Sequence, residues 1–398
     1  MRVRVVVLVY LALFVGELSW SGVTPLIPSY IEQYDLTDLA GGLVLSVASL
    51  GILVASVPAG AITRRVSPRT LMLSAMVVIA VSGMAMVVVP NYPAIIAARF
   101  IFGLGFGTMW LSMAAWLDDA AGPHSARVLA LTMAVVGASA MLGPAYTGWV
   151  AQHFGLSAPF VGLALVTALL FLLLLLDRSG TGKTIDPAPP ARDLARAVRS
   201  DPGLLVMLLL TIAIAVVWMT ADLLVPLRLD DGGYNVAAIG FAFSLSSLVF
   251  VTSSALTARG ADRWARPGIA AAATLGLAAF TVLPAVWGGV PVVLVFLFGA
   301  SVATGVIGAL TFPFGLQAVE RGAVTVAVMT ALANIIWALS GMVGPTVGGA
   351  FAEASGDQAA FGVLAAVSVV VTLVVWQQAR AQVSRPFMPG QGANPDPG

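Results

Sequence analysis

Long apolar runs alternate with short polar punctuation along the whole chain, and a helix of roughly 20 apolar residues crosses a bilayer core of about 30 Å. Twelve such runs can be drawn, at 5–28, 40–62, 70–89, 94–117, 128–151, 159–176, 203–227, 236–258, 269–286, 290–318, 323–352 and 359–376. The weakest division falls at Trp287 to Gly289, where only a few residues separate two runs. One long internal polar stretch, 177–202, contains Pro187, Pro189 and Pro190, which prevent a continuous helix. It divides the runs six and six. The pattern predicts an all-α membrane protein of twelve transmembrane helices in two pseudo-symmetric six-helix halves. These are residues 1–178 and 203–380, joined by a cytoplasmic linker at 179–202 and followed by a disordered tail at 381–398. Within the linker, 191–200 is read either as an amphipathic helix placing Arg192, Arg196 and Arg199 on anionic lipid headgroups or as a solvated connection.

The two halves repeat one another in sequence. SAMLGPAYTG at 139–148 and SGMVGPTVGG at 340–349 lie 201 positions apart inside apolar runs. Pro28 and Pro226, and Arg65 and Arg263, are separated by 198 positions, and Asp119 and Glu320 by 201. A repeated membrane-embedded half is the architecture of a transporter.

Composition agrees with the apolar pattern and narrows it. Hydrophobic residues make up 59% of the chain and charged residues 9%, against roughly 25% charged in a soluble domain. With the N-terminus inside, all but two of the nineteen Lys and Arg fall on the cytoplasmic side, the exceptions being Arg99 within a span and Arg228 outside. This asymmetry predicts a multi-pass protein of a bacterial inner membrane with both termini cytoplasmic. The net charge of +1 gives no reason to expect a nucleic-acid partner. The apolar run after Arg2 and Arg4 is too long for a cleaved signal and no small-x-small site follows it, so it is expected to be retained. Absence of cysteine excludes thiolate chemistry and Cys-ligated metals, and the two histidines lie in loops. No metal, cofactor or nucleotide is expected; DRSGTGKT at 177–184 imitates a phosphate loop but lacks its first glycine and a preceding strand.

Glu17, Arg99 and Asp222 are the charges that fall within spans, each costing roughly 2.5–3.5 kcal/mol at the bilayer centre. At helical spacing Tyr10, Glu17, Ser21 and Thr24 form one polar stripe, Arg99 shares a face with Trp110 and Met113, and Asp222 shares one with Trp218.

These residues resemble the major facilitator superfamily of secondary transporters over essentially the whole chain. GAITRRVSPR at 60–69 is similar to that family's loop signature, with Gly60, Arg65 and Arg69 in place and the usual acid replaced by Arg64; the second half keeps Asp262, Arg263 and Arg266. The resemblance implies a cytoplasmic gate in which these groups pair with acids such as Asp119 and Glu320, while positive-inside topology accounts for the arginines equally well. Gly143, Pro144 and Gly148, with Gly344, Pro345, Gly348 and Gly349, resemble the family's antiporter motif and imply hinges of the conformational cycle. Arg99, Gly103 and Gly105 resemble its span-four signature. In the family, spans one, four, seven and ten line a central cavity.

The expectation is a secondary active transporter, not an enzyme, that exports a small amphiphilic or aromatic compound against protons. A proton symporter importing a small solute is the alternative. Glu17 would carry the proton with Arg99 as its ion-pair partner, and Asp222 would complete the coupling set. Tyr10, Ser21, Thr24, Trp110, Met113, Trp218, Phe312, Phe314, Asn334 and Trp337 would line the substrate cavity. The partners expected are the small-molecule substrate and membrane lipids, the driving force the proton gradient, and the working unit a monomer.

Overall fold

The computed structural model describes residues 2–56, 65–89, 91–177, 192, 196–198 and 201–383. Its helices are α1 Val3–Ser21, α2 Ile27–Tyr34, α3 Asp38–Ser56, α4 Pro68–Val88, α5 Tyr92–Ala121, α6 Ser125–Phe154 and α7 Ala158–Leu176. They continue with α8 Pro202–Asp231, α9 Val236–Ala258, the short α10 Ala261–Trp264, α11 Pro267–Val286, α12 Val290–Glu320, α13 Val326–Ser355 and α14 Asp357–Val383. Among the described residues eleven stretches have the length and apolarity to cross a membrane, α1 and α2 running together in one of them. The thirty-residue α6 is not among the eleven, although it stands where the fifth span is expected.

Helix ends are punctuated by the residues that local physics requires. Asn91 accepts from the Ala94 amide at 3.0 Å, Asn235 from Ala238 at 2.9 Å and Thr325 from Val328 at 3.3 Å, each satisfying an orphan N–H of a first turn. Gly155 and Gly356, with φ of 91° and 81°, stop α6 and α13 in a backbone conformation that side chains disfavour. The first expected span differs from its continuous reading. Its helix ends at Ser21, a 3-10 turn spans Thr24–Leu26, and α2 resumes to Tyr34, because Pro25 and Pro28 lack the amides a continuous helix would use. Helix α14 extends to Val383, beyond the expected start of the tail, while 384–398, 57–64 and most of 191–200 lie outside the described residues.

The helices of residues 3–176 form an N-terminal set and those of 202–383 a C-terminal set. In the first, α5 packs on α3 and α4, α7 on α4, and α1 on α5, α6 and α7. The second repeats this: α12 on α9 and α11, α14 on α11, and α8 on α12, α13 and α14. Between the sets, α3 packs on α13 and α6 on α9.

One end of the bundle holds the start of α1 and the end of α14; we call it the terminal side and the opposite end the distal side. The sets meet towards the distal side. A Cβ added at Gly42 would collide with the carbonyl oxygen of Pro345, and one at Gly240 with that of Pro144. A Cβ at Gly148 would lie 2.6 Å from Val236 O, and one at Gly349 2.6 Å from Asp38 O. Thr346 Oγ1 donates to Ser46 Oγ at 2.8 Å, the Ala145 amide to Ser244 Oγ at 2.9 Å, and the Leu39 amide to Glu353 Oε2 at 3.4 Å. The buried core follows the same division. Val23, Leu26, Val44 and Ile95, at the distal end of the N-terminal set, belong to the apolar cluster of the C-terminal set, whereas Val5, Leu13, Met76, Met109 and Leu117 form a separate cluster.

Candidate functional site

Glu17 sits in the middle of α1, 8% exposed and facing α5. The approach is set by Gly16: a Cβ there would lie 3.0 Å from Met109 Sδ, so the absence of a side chain lets α5 come close. The next residue on each helix completes the contact, Trp110 Nε1 donating to Glu17 Oε1 at 2.8 Å. One turn along, Ser21 Oγ donates back to the Glu17 carbonyl at 3.0 Å. Tyr10 on the same stripe donates to Val128 O of α6, and Thr24 is buried in the 3-10 turn. The polar stripe of α1 therefore faces protein along its length, as an intramembrane polar surface must.

Arg99 is not the partner of Glu17, which corrects the ion pair drawn from sequence. It lies eleven residues before Trp110 on α5, about 16 Å along a helix axis at 1.5 Å per residue. Sharing a helix face does not place two groups at one depth. The guanidinium is 2% exposed, donates through Nε to Val44 O at 3.3 Å, and stands 4.9 Å from the Phe102 ring and 5.9 Å from that of Trp20. Trp20, Phe102 and Phe106 stack beside it, with Trp20 and Phe106 centroids 5.3 Å apart. Sequence reading missed Trp20 and Phe102, although each follows a buried charge by three residues, a spacing that shares a helix face. Arg99 instead shares a small cavity with Asp222 of the C-terminal set, walled by Trp20, Thr24, Met219 and Gly341. Among the described residues neither Glu17 nor Arg99 takes part in an ion pair.

The expected substrate wall is only partly assembled. Met113 and Phe314 are packed in the cores of their own sets, each 2% exposed. Phe312, Asn334 and Trp337 lie on exposed helix faces. Trp218 is half-buried and donates through Nε1 to Thr304 Oγ1 at 3.1 Å, linking α8 to α12; Thr304 was not anticipated. The two indoles thus tie corresponding helix pairs, α1 to α5 and α8 to α12.

The motif glycines and prolines lie where the two sets meet. Pro144 and Pro345 are accommodated inside unbroken thirty-residue helices. Gly143 abuts Ser21 of α1 and Gly344 abuts Thr220 of α8, while Gly348 faces Thr220 and Gly148 and Gly349 face the opposite set. Each motif therefore packs one flank against its own set and one against the other.

At the terminal side, Asp119 and Arg69 of the expected gate are engaged by other groups. Asp119 pairs with Arg2 at 2.8 Å, and Arg69 Nη2 donates to the Leu174 and Leu175 carbonyls at 3.3 and 2.9 Å, capping α7 where its dipole favours a cation. Arg65, Arg263, Arg266 and Glu320 are exposed; Gly60 and the side chain of Asp262 lie outside the described residues. A strong pair absent from the sequence reading joins Arg321 to Asp201, with Nε to Oδ2 at 2.8 Å and Nη2 to Oδ1 at 2.7 Å. Asp201 also accepts from the Gly203 and Leu204 amides at the start of α8, and the guanidinium together with these amides holds its carboxyl below the usual range. No cluster of three or more His, Asp or Glu is arranged to hold a metal among the described residues.

The family profile described as Major Facilitator Superfamily matches residues 9–345. No curated protein sequence matches the chain. Among solved structures, a bacterial homologue of the human lysosomal transporter Spinster, inward-facing and unoccupied, superposes with a TM-score of 0.80 at 12% identity, over 98% of this chain and 99% of that one. A POT family transporter in complex with a thioalcohol-conjugated peptide superposes with a TM-score of 0.76 at 14% identity, over 96% of each chain. At these identities the likeness is one of fold.

Proposed function

The chain belongs to the major facilitator superfamily, a class of membrane transporters rather than enzymes, and on that premise we propose that it exports a small amphiphilic or aromatic compound in exchange for protons by alternating access. The observation that carries this reading is Glu17, a carboxyl buried in a membrane-spanning helix and met by a neutral donor instead of a cation. A permanent structural charge in that setting would be expected to have a counter-charge. A group that must lose its charge once per cycle would not. Arg99 and Asp222 complete the coupling set across the small cavity they share. Helix α6, fifth in order, completes the count of twelve spans, the terminal side is the cytoplasm because the basic residues gather there, and the distal contacts close the outer side. In this reading the two six-helix sets are the rocking bodies and the Gly-Pro motifs their contact points, and the motifs favour export.

One titrating carboxyl is enough energetically. A charge crossing 100 mV releases about 2.3 kcal/mol, and a hundredfold gradient of a neutral solute costs about 2.7 kcal/mol at roughly 1.36 per decade. A modest pH gradient supplies the rest.

The test is proton flux in proteoliposomes against a panel of amphiphilic compounds, comparing wild type with Glu17→Gln. The variant is expected to lose movement of solute driven by a pH gradient while keeping solute exchange across equal pH. Proton and solute moving together at the wild-type ratio in Glu17→Gln would remove Glu17 from the mechanism. Solute accumulating on the side to which protons flow would replace export by symport.

A further inference from the structure

We propose that Trp110 is the positioning residue that sets the protonation equilibrium of Glu17, and that the Trp218–Thr304 link is its counterpart without a titrating group. The proposal rests on the reading of Glu17 as the proton carrier. Its observations are separate: the two indole contacts, and the groups surrounding each acceptor.

In both helix sets one indole N–H ties the first long helix to the helix that packs against it. In the C-terminal set the donor is on α8 and the acceptor is the Thr304 hydroxyl, whose own proton is committed to the Ala300 carbonyl at 2.7 Å. That contact is neutral and complete. In the N-terminal set the donor is on α5 and the acceptor is a carboxyl oxygen, so its strength changes with every proton gained or lost. A hydrogen bond to an ionised carboxylate is stronger than one to a neutral acid, so the donor favours the ionised form.

Trp110 matters here because, among the described residues, it is the side chain that donates to the Glu17 carboxyl. The ionisable groups at the start of α1 and along it are Arg2, Arg4 and Tyr10; those on the packed helices are Tyr92, Arg99, Asp118 and Asp119 on α5, Tyr146 and His153 on α6, and Asp177 beyond α7, with Tyr92 donating to Ala40 O at 3.2 Å. Arg2 is taken by Asp119, Arg4 by Asp177, Tyr10 by Val128 O, Tyr146 by Pro159 O and His153 by Trp149 O. Asp118 lies at the terminal end of α5, and Arg99 is turned to Trp20 and Phe102. Arg127 on α6 has its side chain outside the described residues. The register that brings the indole to the carboxyl is fixed one residue earlier, where Met109 fills the space left by Gly16.

The experiment follows the Glu17 carboxyl directly, by infrared difference spectroscopy of the purified full-length protein over a pH titration. Glu17→Gln identifies the band. Trp110→Phe, which keeps a ring and removes the N–H, is expected to move the midpoint of that band upward by roughly 1–2 pH units, the amount a hydrogen bond to a charged group supports. The pH profile of coupled transport should move by the same amount. Trp218→Phe should leave the midpoint in place. Site-specific benzothienylalanine at position 110, isosteric with tryptophan but lacking the N–H, reproduces the shift without altering packing and serves if Trp110→Phe does not fold. A band that titrates at the same pH in wild type and in these position-110 variants overturns the proposal, as does an equal shift in Trp218→Phe. If Glu17→Gln leaves every titrating carboxyl band in place, the fault lies instead with Glu17 as the carrier.

Discussion

Gly42 and Gly240 each receive the carbonyl oxygen of a proline from the opposite helix set, Pro345 and Pro144 respectively. A backbone oxygen inside a helix cannot turn aside as a flexible side chain can, so an added methyl must push the helices apart. Overpacking of this kind costs about 1–3 kcal/mol, and here the cost falls on the arrangement in which the distal ends touch. Gly42→Ala should therefore favour distal opening by roughly 5- to 150-fold. The chain has no cysteine, so a single Thr24→Cys in the distal cavity reports the change. Its labelling by a membrane-impermeant maleimide from the distal side should speed up in Gly42→Ala, and an unchanged rate would separate this contact from the closure. Substitution at Gly103 belongs to a different class, because its neighbour is Ala48 O within the same set. Gly103→Ala should lower thermal stability by an overpacking cost of the same size without changing which side is open.

Helices here are held at their ends by a few polar residues, and α8 has the strongest such anchor. Asp201 caps its first turn and pairs bidentately with Arg321 at the end of α12. Because the native carboxyl ionises below its ordinary value of about 3.9, the pair contributes stability at every pH above that value and loses it as pH falls through the native one. Melting of Asp201→Asn, which keeps a capping side chain, should fall below wild type by a constant amount from pH 5 to 8. The difference should close as pH drops below 4. Asp201→Ala should cost about 1 kcal/mol more, the usual value of a lost cap.

At this scale much could be read in advance. Asn91, Asn235, Thr325 and the prolines of the first turns mark helix starts in any apolar sequence, and the structure begins helices beside them. The break after Ser21 was not legible, because a proline pair in an apolar run is compatible with a kinked helix as well as with a turn. Nor was the partner of Arg99. Periodicity gives the angle of a side chain about its helix, whereas depth depends on where two antiparallel helices are registered, and that is set by contacts such as Gly16 on Met109.

For the whole molecule, the distal contacts join the two sets at one end, and the proposed cycle requires them to separate. Ser46 and Thr346 touch through their hydroxyls from α3 and α13, which places paired cysteines within reach of a disulfide. Ser46→Cys with Thr346→Cys should cross-link under oxidation, stop transport, and regain it on reduction. Transport that continues at full rate with the disulfide formed would mean that α3 and α13 need not separate at this point. The doubled SxMxGP segments were legible as a repeat in the sequence. Their location at the contact between sets was not, since a spacing of glycine and proline shared by two segments fits an internal hinge just as well.

The crossed arrangement has a further consequence. Gly42 meets Pro345 while Gly240 meets Pro144, and Gly349 meets Asp38 while Gly148 meets Val236. Each patch on one set is answered by the equivalent patch on the other, which is the logic of an isologous contact in a two-fold dimer. On that logic recognition between the sets resides in these helix faces, and the connection between α7 and α8 fixes their one-to-one stoichiometry. Polypeptides 1–190 and 191–398 made separately in one cell should assemble and co-purify through α3, α6, α9 and α13, and the N-terminal piece made alone should pair with a copy of itself.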